Sequence, residues 1–260
     1  MQNIAAIWQR EMKSYFVSPI AYVVLTVFVF LSGYFFYSYL SRVIEATMQA
    51  AMMQAQFGQP SQPIDVPSIV TQALFQTMCV VLLFIIPMLT MGLLSEEKKR
   101  GTIELLLTAP VGHFQVIAGK FLASLTFLLI MLAANAATIL PLFIYGEPDL
   151  APILSGYLGM FLYGMTLLAV GLFISTLTEN QIVAVIITFG VSLALFVIES
   201  ISASAVGVTK NVIEYLSLIS HLEDFTKGVI DTSHVIFYVT FAFVGLFLAY
   251  RSLESMRWKS

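Results

Sequence analysis

Six long apolar runs alternate with polar breaks along this chain, at residues 20–40, 68–94, 120–144, 153–177, 182–198 and 235–250. A run of about 20 apolar residues crosses a bilayer as a helix, because in hydrocarbon only a helix satisfies its own backbone polar groups. The pattern predicts an all-α polytopic membrane protein with six transmembrane helices, a single domain over residues 1–260. Ahead of the first run the period changes. Ile4, Trp8, Met12 and Tyr15 recur at i, i+4, i+8 and i+11, with Gln9, Arg10 and Lys13 on the other side. Residues 3–16 therefore predict an amphipathic helix in the headgroup plane, with Trp8 at the interface. Ser18-Pro19 ends it, since proline disfavours helix for the residue before it and suits a helix start.

The polar breaks differ in kind. Residues 41–67 are rich in Gln and Met and carry Pro60, Pro63 and Pro67, the marks of a loop; their early part, 42–56, predicts a short helix lying at the surface. Gly146-Glu147-Pro148-Asp149 is a tight turn, and residues 178–181 are a short link. Residues 199–231 are too polar to cross a membrane and too apolar to be a free loop. Six spans put both termini on one side, and the Lys/Arg bias of short loops tells which. Placing the termini and the 95–119 segment inside collects Arg10, Lys13, Lys98, Lys99, Arg100, Lys120, Arg251, Arg257 and Lys259, leaving only Arg42, Lys210 and Lys227 outside. Both termini are expected in the cytoplasm.

Composition agrees with this class. The chain is 59% hydrophobic and 10% charged, with mean hydropathy +0.91, where a soluble domain carries roughly a quarter charged residues. The net charge of −3 argues against a nucleic-acid partner. The single Cys79 sits in an apolar run and supports neither a disulfide nor a thiolate metal site within one chain. A phosphate-cradling loop is absent: Gly119-Lys120 is followed by Phe121, and Phe114 stands five places before Gly119. His113, His221 and His234 are scattered, with no ligand spacing. The serine of an intramembrane protease would need a glycine two places before it, but Ser32 and Ser155 follow Phe30 and Ile153. In Glu96-Glu97 the basic residue that a prenyl-protease motif needs comes one place early. Catalysis by this chain alone is not expected.

Polar residues inside the spans have two readings. Asn135, Thr138 and Ser192 either line a pathway or hold helices together, and the second is favoured. The pairs Ala133/Ala137 and Gly164/Gly171 place small residues on single helix faces, where backbones can approach closely. Residues 95–110 stand apart. Charges crowd Glu96 to Arg100, Gly101-Thr102 supplies a break and an N-cap, Glu104 sits near the positive helix end, and Leu105, Leu106 and Leu107 form an apolar ridge before Pro110 stops the helix. An ordinary positive-inside loop accounts for the lysines but not for the leucines, so this short helix is expected to dock on a partner.

Residues 96–110, EEKKRGTIELLLTAP, resemble the segment between spans two and three of the ABC-2 type permeases, with Glu97, Gly101, Thr102, Glu104, Leu105, Leu107 and Pro110 matching the family pattern. Residues 15–23, YFVSPIAYV, and 218–236, LISHLEDFTKGVIDTSHVI, resemble the gliding-motility-type (GldF-like) subfamily; His221, Phe225, Gly228, Val229, Ile230 and Asp231 fit in the second stretch. The resemblance implies an interfacial elbow helix at 1–18, carrying Trp8, Arg10 and Lys13 and followed by Pro19. It implies a coupling helix within 95–119 whose Glu97, Gly101, Thr102, Ile103, Glu104, Leu105, Leu106, Leu107 and Pro110 meet a groove on an ATPase. Re-entrant exoplasmic helices in 199–231, including His221 and Asp231, would cap the outer mouth. The implied partners are two copies of a cytoplasmic ABC ATPase, which hold the ATP and Mg, and a second permease chain, identical or different. An auxiliary periplasmic or membrane protein is also compatible; this chain would bind no cofactor itself. The implied function is the permease subunit of an ATP-driven exporter in a bacterial inner membrane. The alternative is a mechanotransmitter that moves envelope proteins without solute transport, which the outer segments 41–67 and 199–231 keep open.

Overall fold

Apolar periodicity and a few prolines account for most element boundaries in the computed structural model, which describes residues 2–57, 65–102, 112–202, 215 and 217–257. The helices are α1 (Gln2–Val17), α2 (Pro19–Phe57), α3 (Val66–Thr90), α4 (Ser95–Lys99), α5 (His113–Ala136), α6 (Leu140–Tyr145), α7 (Leu150–Leu177), α8 (Gln181–Ser202), α9 (Leu218–Thr226) and α10 (Thr232–Arg257). Among the described residues there is no strand. Among the described residues six segments are long and apolar enough to cross a membrane: Pro19–Gln56, Val66–Lys99, His113–Tyr145, Leu150–Leu177, Gln181–Ile198 and Thr232–Ser255.

Boundaries differ from the sequence pattern where local chemistry intervenes. The helix expected at 42–56 does not lie apart from span one; it continues from it, so that α2 runs 39 residues without a break. Nothing in residues 41–57 stops a helix: they contain no glycine or proline and many good helix formers. Asp65 starts α3 by accepting from the Ser68 amide and hydroxyl, and Pro67 occupies a first-turn position where no amide is needed. The third span starts earlier than expected, at His113, and is interrupted by a 3₁₀ turn at Ala137–Ile139. Pro141 has no N–H for the Ala137 carbonyl four residues back, and the Leu140 amide takes that carbonyl instead.

The packing centres on α7. Of its apolar window 78% is buried, against 17% for that of α8, so α7 is the core helix and α8 turns most of its surface outward. Glycines let α7 sit this deep. A Cβ at Gly156 would overlap the Phe75 ring of α3, one at Gly164 would meet Leu128 of α5 at 2.7 Å, and one at Gly171 would overlap Thr90 of α3. The Gly164/Gly171 face expected for close approach is used in this way, though by two different neighbours. The Ala133/Ala137 face is not: both residues are exposed, so no close approach is made there within the chain. On the end of the bundle away from the termini, α9 lies across α7, with Leu222 and Phe225 over Gly159 and the Ser155 hydroxyl donating to the Phe225 carbonyl at 2.6 Å. Residues 203–214 of the expected re-entrant pair lie outside the described residues.

Gly171→Ala should lower the thermal unfolding midpoint of the purified chain in detergent, because overpacking a tight contact costs about 1–3 kcal/mol. Gly190→Ala, where nothing lies within 4 Å of the new Cβ, should leave the midpoint unchanged or raise it.

Candidate functional site

The apolar stripe of α1 is interrupted by one acid. Glu11 falls three residues after Trp8 and four before Tyr15, on the side of the helix that meets α5. That side is covered by protein: Ile7 sits against Gly119, Tyr15 stacks on Phe127 with centroids 5.2 Å apart, and the Trp8 indole N–H donates to Thr126 Oγ1 at 3.0 Å. Trp8 thus faces α5, while Arg10 and Lys13 are exposed. Glu11 is carried inward by the same docking and meets Lys120, one turn after Val116 and Ile117 on the buried face of α5.

Lys120 is only 2% exposed, and its Nζ lies 3.0 Å from Glu11 Oε1 and 3.0 Å from Glu97 Oε1. Arg10 closes the ring from the solvent side, at 2.8 Å from Glu11 and 2.9 Å from Glu97. Two cations and two carboxylates thus join α1, α4 and α5. Burial pushes the Glu11 carboxyl up, but Lys120 and Arg10 outweigh it and hold its pKa below the usual glutamate value. The hydrogen bond to Glu11 leads the causes that raise Arg10. The second oxygen of Glu97 is buried without a partner, and so is the Tyr15 hydroxyl.

The segment bearing Glu97 is fastened from a third direction. The Ser175 hydroxyl of α7 accepts from the amides of Leu94 and Ser95 at 3.0 and 3.1 Å, satisfying free donors at the start of α4 where no side chain of its own does so. The Lys98 ammonium donates to the Thr176 carbonyl at the C-terminal end of α7, where backbone acceptors are left over. Arg100 pairs with Glu96 at 2.5 Å. Gly101, at φ +67°, then turns the chain out of α4 in a left-handed conformation that glycine adopts without strain. The Thr102 hydroxyl points back to the Glu97 carbonyl at 3.2 Å. Ile103, Glu104, Leu105, Leu106, Leu107 and Pro110 lie outside the described residues. What can be described is their mounting: a short, heavily tied stem at the face that holds the N-terminus.

A cleft of about 350 Å³ opens beside this stem. Its lining mixes polar residues, among them Glu11, Ser14, Ser18, Glu96 and Gln181, with apolar ones, among them Ile20, Met88, Leu89 and Leu93. Deeper in the bundle, Asn135 and Thr138 come together in one network. The Asn135 amide donates to Ser32 Oγ at 2.6 Å and accepts from the Tyr157 hydroxyl at 2.9 Å, while Thr138 Oγ1 lies 2.9 Å from Ser32 Oγ. This ties α2, α5 and α7. Ser192 does not join it; with Thr188 one turn earlier, it is buried on α8 with its hydroxyl unpartnered. At the opposite face His221 contacts His234 and Asp231 accepts from the Ser233 amide at 2.8 Å. The histidines that are scattered in sequence are therefore not all scattered in space. Glu11, Lys120, Ser175 and the His221–His234 pair were not singled out from the sequence as partners. An acid in an apolar stripe, and a lysine three residues after a buried isoleucine, were the available signals for the first two.

Among the described residues, six apolar helices of spanning length packed around a glycine-rich central helix, with a charged stem at one face, define a multi-pass membrane protein. The pattern of the ABC-2 family transporter proteins matches residues 5–253, and the chain belongs to that family. It is accordingly a membrane permease subunit of an ABC transporter, a kind of subunit that generally works as a dimer with an ABC ATPase and is not normally catalytic itself. No curated protein matches the chain.

Lys120→Met would leave Glu11 and Glu97 facing each other under cover, and breaking a buried ion pair costs about 3–5 kcal/mol. The thermal midpoint should fall sharply, and adding Glu11→Gln and Glu97→Gln should restore most of it. A midpoint unchanged by the single substitution would show that the charged ring carries no load.

Proposed function

We propose that this chain is the permease of an ATP-driven exporter of the gliding-motility-type (GldF-like) subfamily, set in a bacterial inner membrane with both termini in the cytoplasm. Residues 103–107 dock in a groove of a separate ABC ATPase, which holds the ATP and Mg; this chain binds neither. Two ATPase copies and two permease chains make the working unit. The observation that carries this reading is the stem: Glu97, Lys98 and the amides of Leu94 and Ser95 are tied to α1, α5 and α7. A segment mounted so firmly can pass a push from a docked partner into α1 and into the spans formed by α5 and α7, whereas a free loop would absorb it. Leu105, Leu106 and Leu107 pack into the ATPase groove, Glu104 makes polar contacts there, and Gly101 permits the turn toward it. The cleft beside the stem is lined by both polar and apolar residues, which suits an amphiphilic cargo better than an ion.

Leu106→Arg and Gly101→Pro should each abolish the ATPase stimulation that the reconstituted complex shows with cargo, while the purified permease keeps its wild-type thermal midpoint. Stimulation retained in both variants would remove the docking assignment.

A second reading rests on the length of α2. At 1.5 Å per residue its 39 residues extend about 58 Å, roughly twice the hydrocarbon thickness, so that its last turns stand clear of the membrane on the outer face. Met48, Met52 and Met53 are exposed along that projection. This fits a mechanotransmitter that moves an envelope protein. A photoreactive residue at Met52 should then crosslink an envelope protein in cells, and proteoliposomes should show ATP hydrolysis without solute flux. Flux without such a crosslink returns the exporter.

A further inference from the structure

On the face opposite the termini, α9 is held to the start of α10 by a chain of titratable groups. His221 Nε2 lies 3.0 Å from the Tyr215 carbonyl oxygen, His221 Nδ1 lies 2.6 Å from His234 Nδ1, and His234 Nε2 lies 2.9 Å from Asp224 Oδ2. Each contact constrains where protons sit. A carbonyl only accepts, so His221 carries its proton on Nε2. The His234–Asp224 contact holds one proton, on the imidazole or on the carboxyl. If no other proton were present, both Nδ1 atoms would be bare and two lone pairs would face each other at 2.6 Å, which is repulsive. A third proton between the two Nδ1 atoms turns that contact into a short hydrogen bond. Two neutral imidazoles and a carboxylate together hold only two protons, so the observed arrangement has taken up one more and is electrically neutral. With a fourth proton both Nδ1 atoms would carry hydrogen and the contact would again be repulsive. A metal ion does not fit between them: with nitrogens about 2.0–2.1 Å from a shared ion at ordinary ligand angles, the two would stand well over 2.6 Å apart.

We infer that His221, His234 and Asp224 form a site for a single proton, and that this proton fastens α9 to α10 at the outer end of the bundle. The surroundings agree with the assignment. The His221 ring lies on Phe237, with centroids 4.0 Å apart, and the Tyr215 ring meets it edge-on at 5.6 Å. Burial pulls the His221 pKa below the ordinary histidine value; the Tyr215 carbonyl acts against this, as His234 acts with it and Asp224 against it. His221 is therefore the acceptor at its Nδ1, and the shared proton lies between it and His234, whose other nitrogen meets Asp224 Oδ2. Among the described residues the other charged groups nearby are Asp231, whose charge also attracts His234, and the Glu223–Lys227 pair on the exposed side of α9, closed at 3.2 Å. From α10 the Tyr238 hydroxyl donates to the Leu218 carbonyl and is occupied; α7 meets α9 with Ser155 and Gly159, which carry no charge.

The contact has an acid limit and an alkaline limit. Because the folded state keeps His221 neutral, its contribution is present above the ordinary histidine pKa and is lost as pH falls, when His221 takes the fourth proton. As pH rises the shared proton leaves and the two Nδ1 atoms repel. In either case α9 keeps its seat on α7 through Leu222 and Phe225 and gives up its hold on α10. Histidine is the side chain that makes such a change between about pH 5 and 8.

The test uses the full-length chain, labelled with ¹⁵N-histidine, in lipid nanodiscs between pH 5 and 9. Long-range ¹H–¹⁵N spectra should show, within that range, one ring protonated on both nitrogens and the other on Nε2 alone, changing together as the proton is lost. Two neutral rings throughout, or two rings titrating independently, overturns the site. In hydrogen exchange corrected for intrinsic rate, protection of the α9 amides should fall about tenfold when the proton is lost, the scale of one charge-assisted hydrogen bond. His221→Phe keeps the ring against Phe237 and removes the acceptor; its α9 protection should be lower and flat with pH. Equal pH dependence in wild type and His221→Phe also overturns the site. The spectra alone decide should that variant fail to fold.

Discussion

A lysine ammonium with 2% of its surface exposed is tolerable only where carboxylates reach it, and Lys120 is reached by two, from helices far apart in the chain. Much of the face that carries the N-terminus depends on that requirement. Glu11 can meet Lys120 only if α1 lies along α5, and Glu97 can meet it only if the chain leaving α3 turns back across the base of α5. Arg10 then finds its place between the same two acids. The ring thus makes α1, α4 and α5 one mechanical unit at this face. Its geometry would cost energy if any member were missing, which is why it specifies an arrangement more strongly than it adds stability.

The middle of the bundle follows a different rule. Lipid offers no hydrophobic drive between helices, so contact depends on close fit and on polar groups satisfied across helices. Glycines along α7 provide the fit against Phe75, Leu128 and Thr90. The Ser32–Asn135–Tyr157–Thr138 network provides the polar contacts and joins α2, α5 and α7. α8 takes little part, and its weakly buried surface, with Thr188 and Ser192 unpartnered on its inner side, makes it the span least committed to this chain's own core.

The two ends of the molecule are fastened by opposite kinds of polar contact. At the face with the N-terminus two cations and two carboxylates balance one another in a closed ring. At the other face two imidazoles and a carboxylate hold α9 to α10 only while they share a proton. One end is thereby held by balanced charges and the other by a shared proton, and the long projection of α2 stands at the latter end.

Class and span number were legible in the sequence, because hydropathy and helical period are local properties and a bilayer leaves the backbone few choices. Gly101 was legible as a break for the same reason; a positive φ after a polar turn is a local matter. The continuation of α2 through residues 41–57 was less so, since polarity there suggested a separate surface helix while helix propensity, with no breaker present, kept the first span's helix going. What tertiary structure alone decided is which residue answers which. Lys120 lies 109 positions from Glu11 and 23 from Glu97, Ser175 caps a helix 80 positions earlier, and His221 meets His234 across a turn. Such pairings carry no periodic signature. They depend on where whole helices come to rest, and that is set by glycine-limited packing around α7 and by the need to leave no buried charge alone.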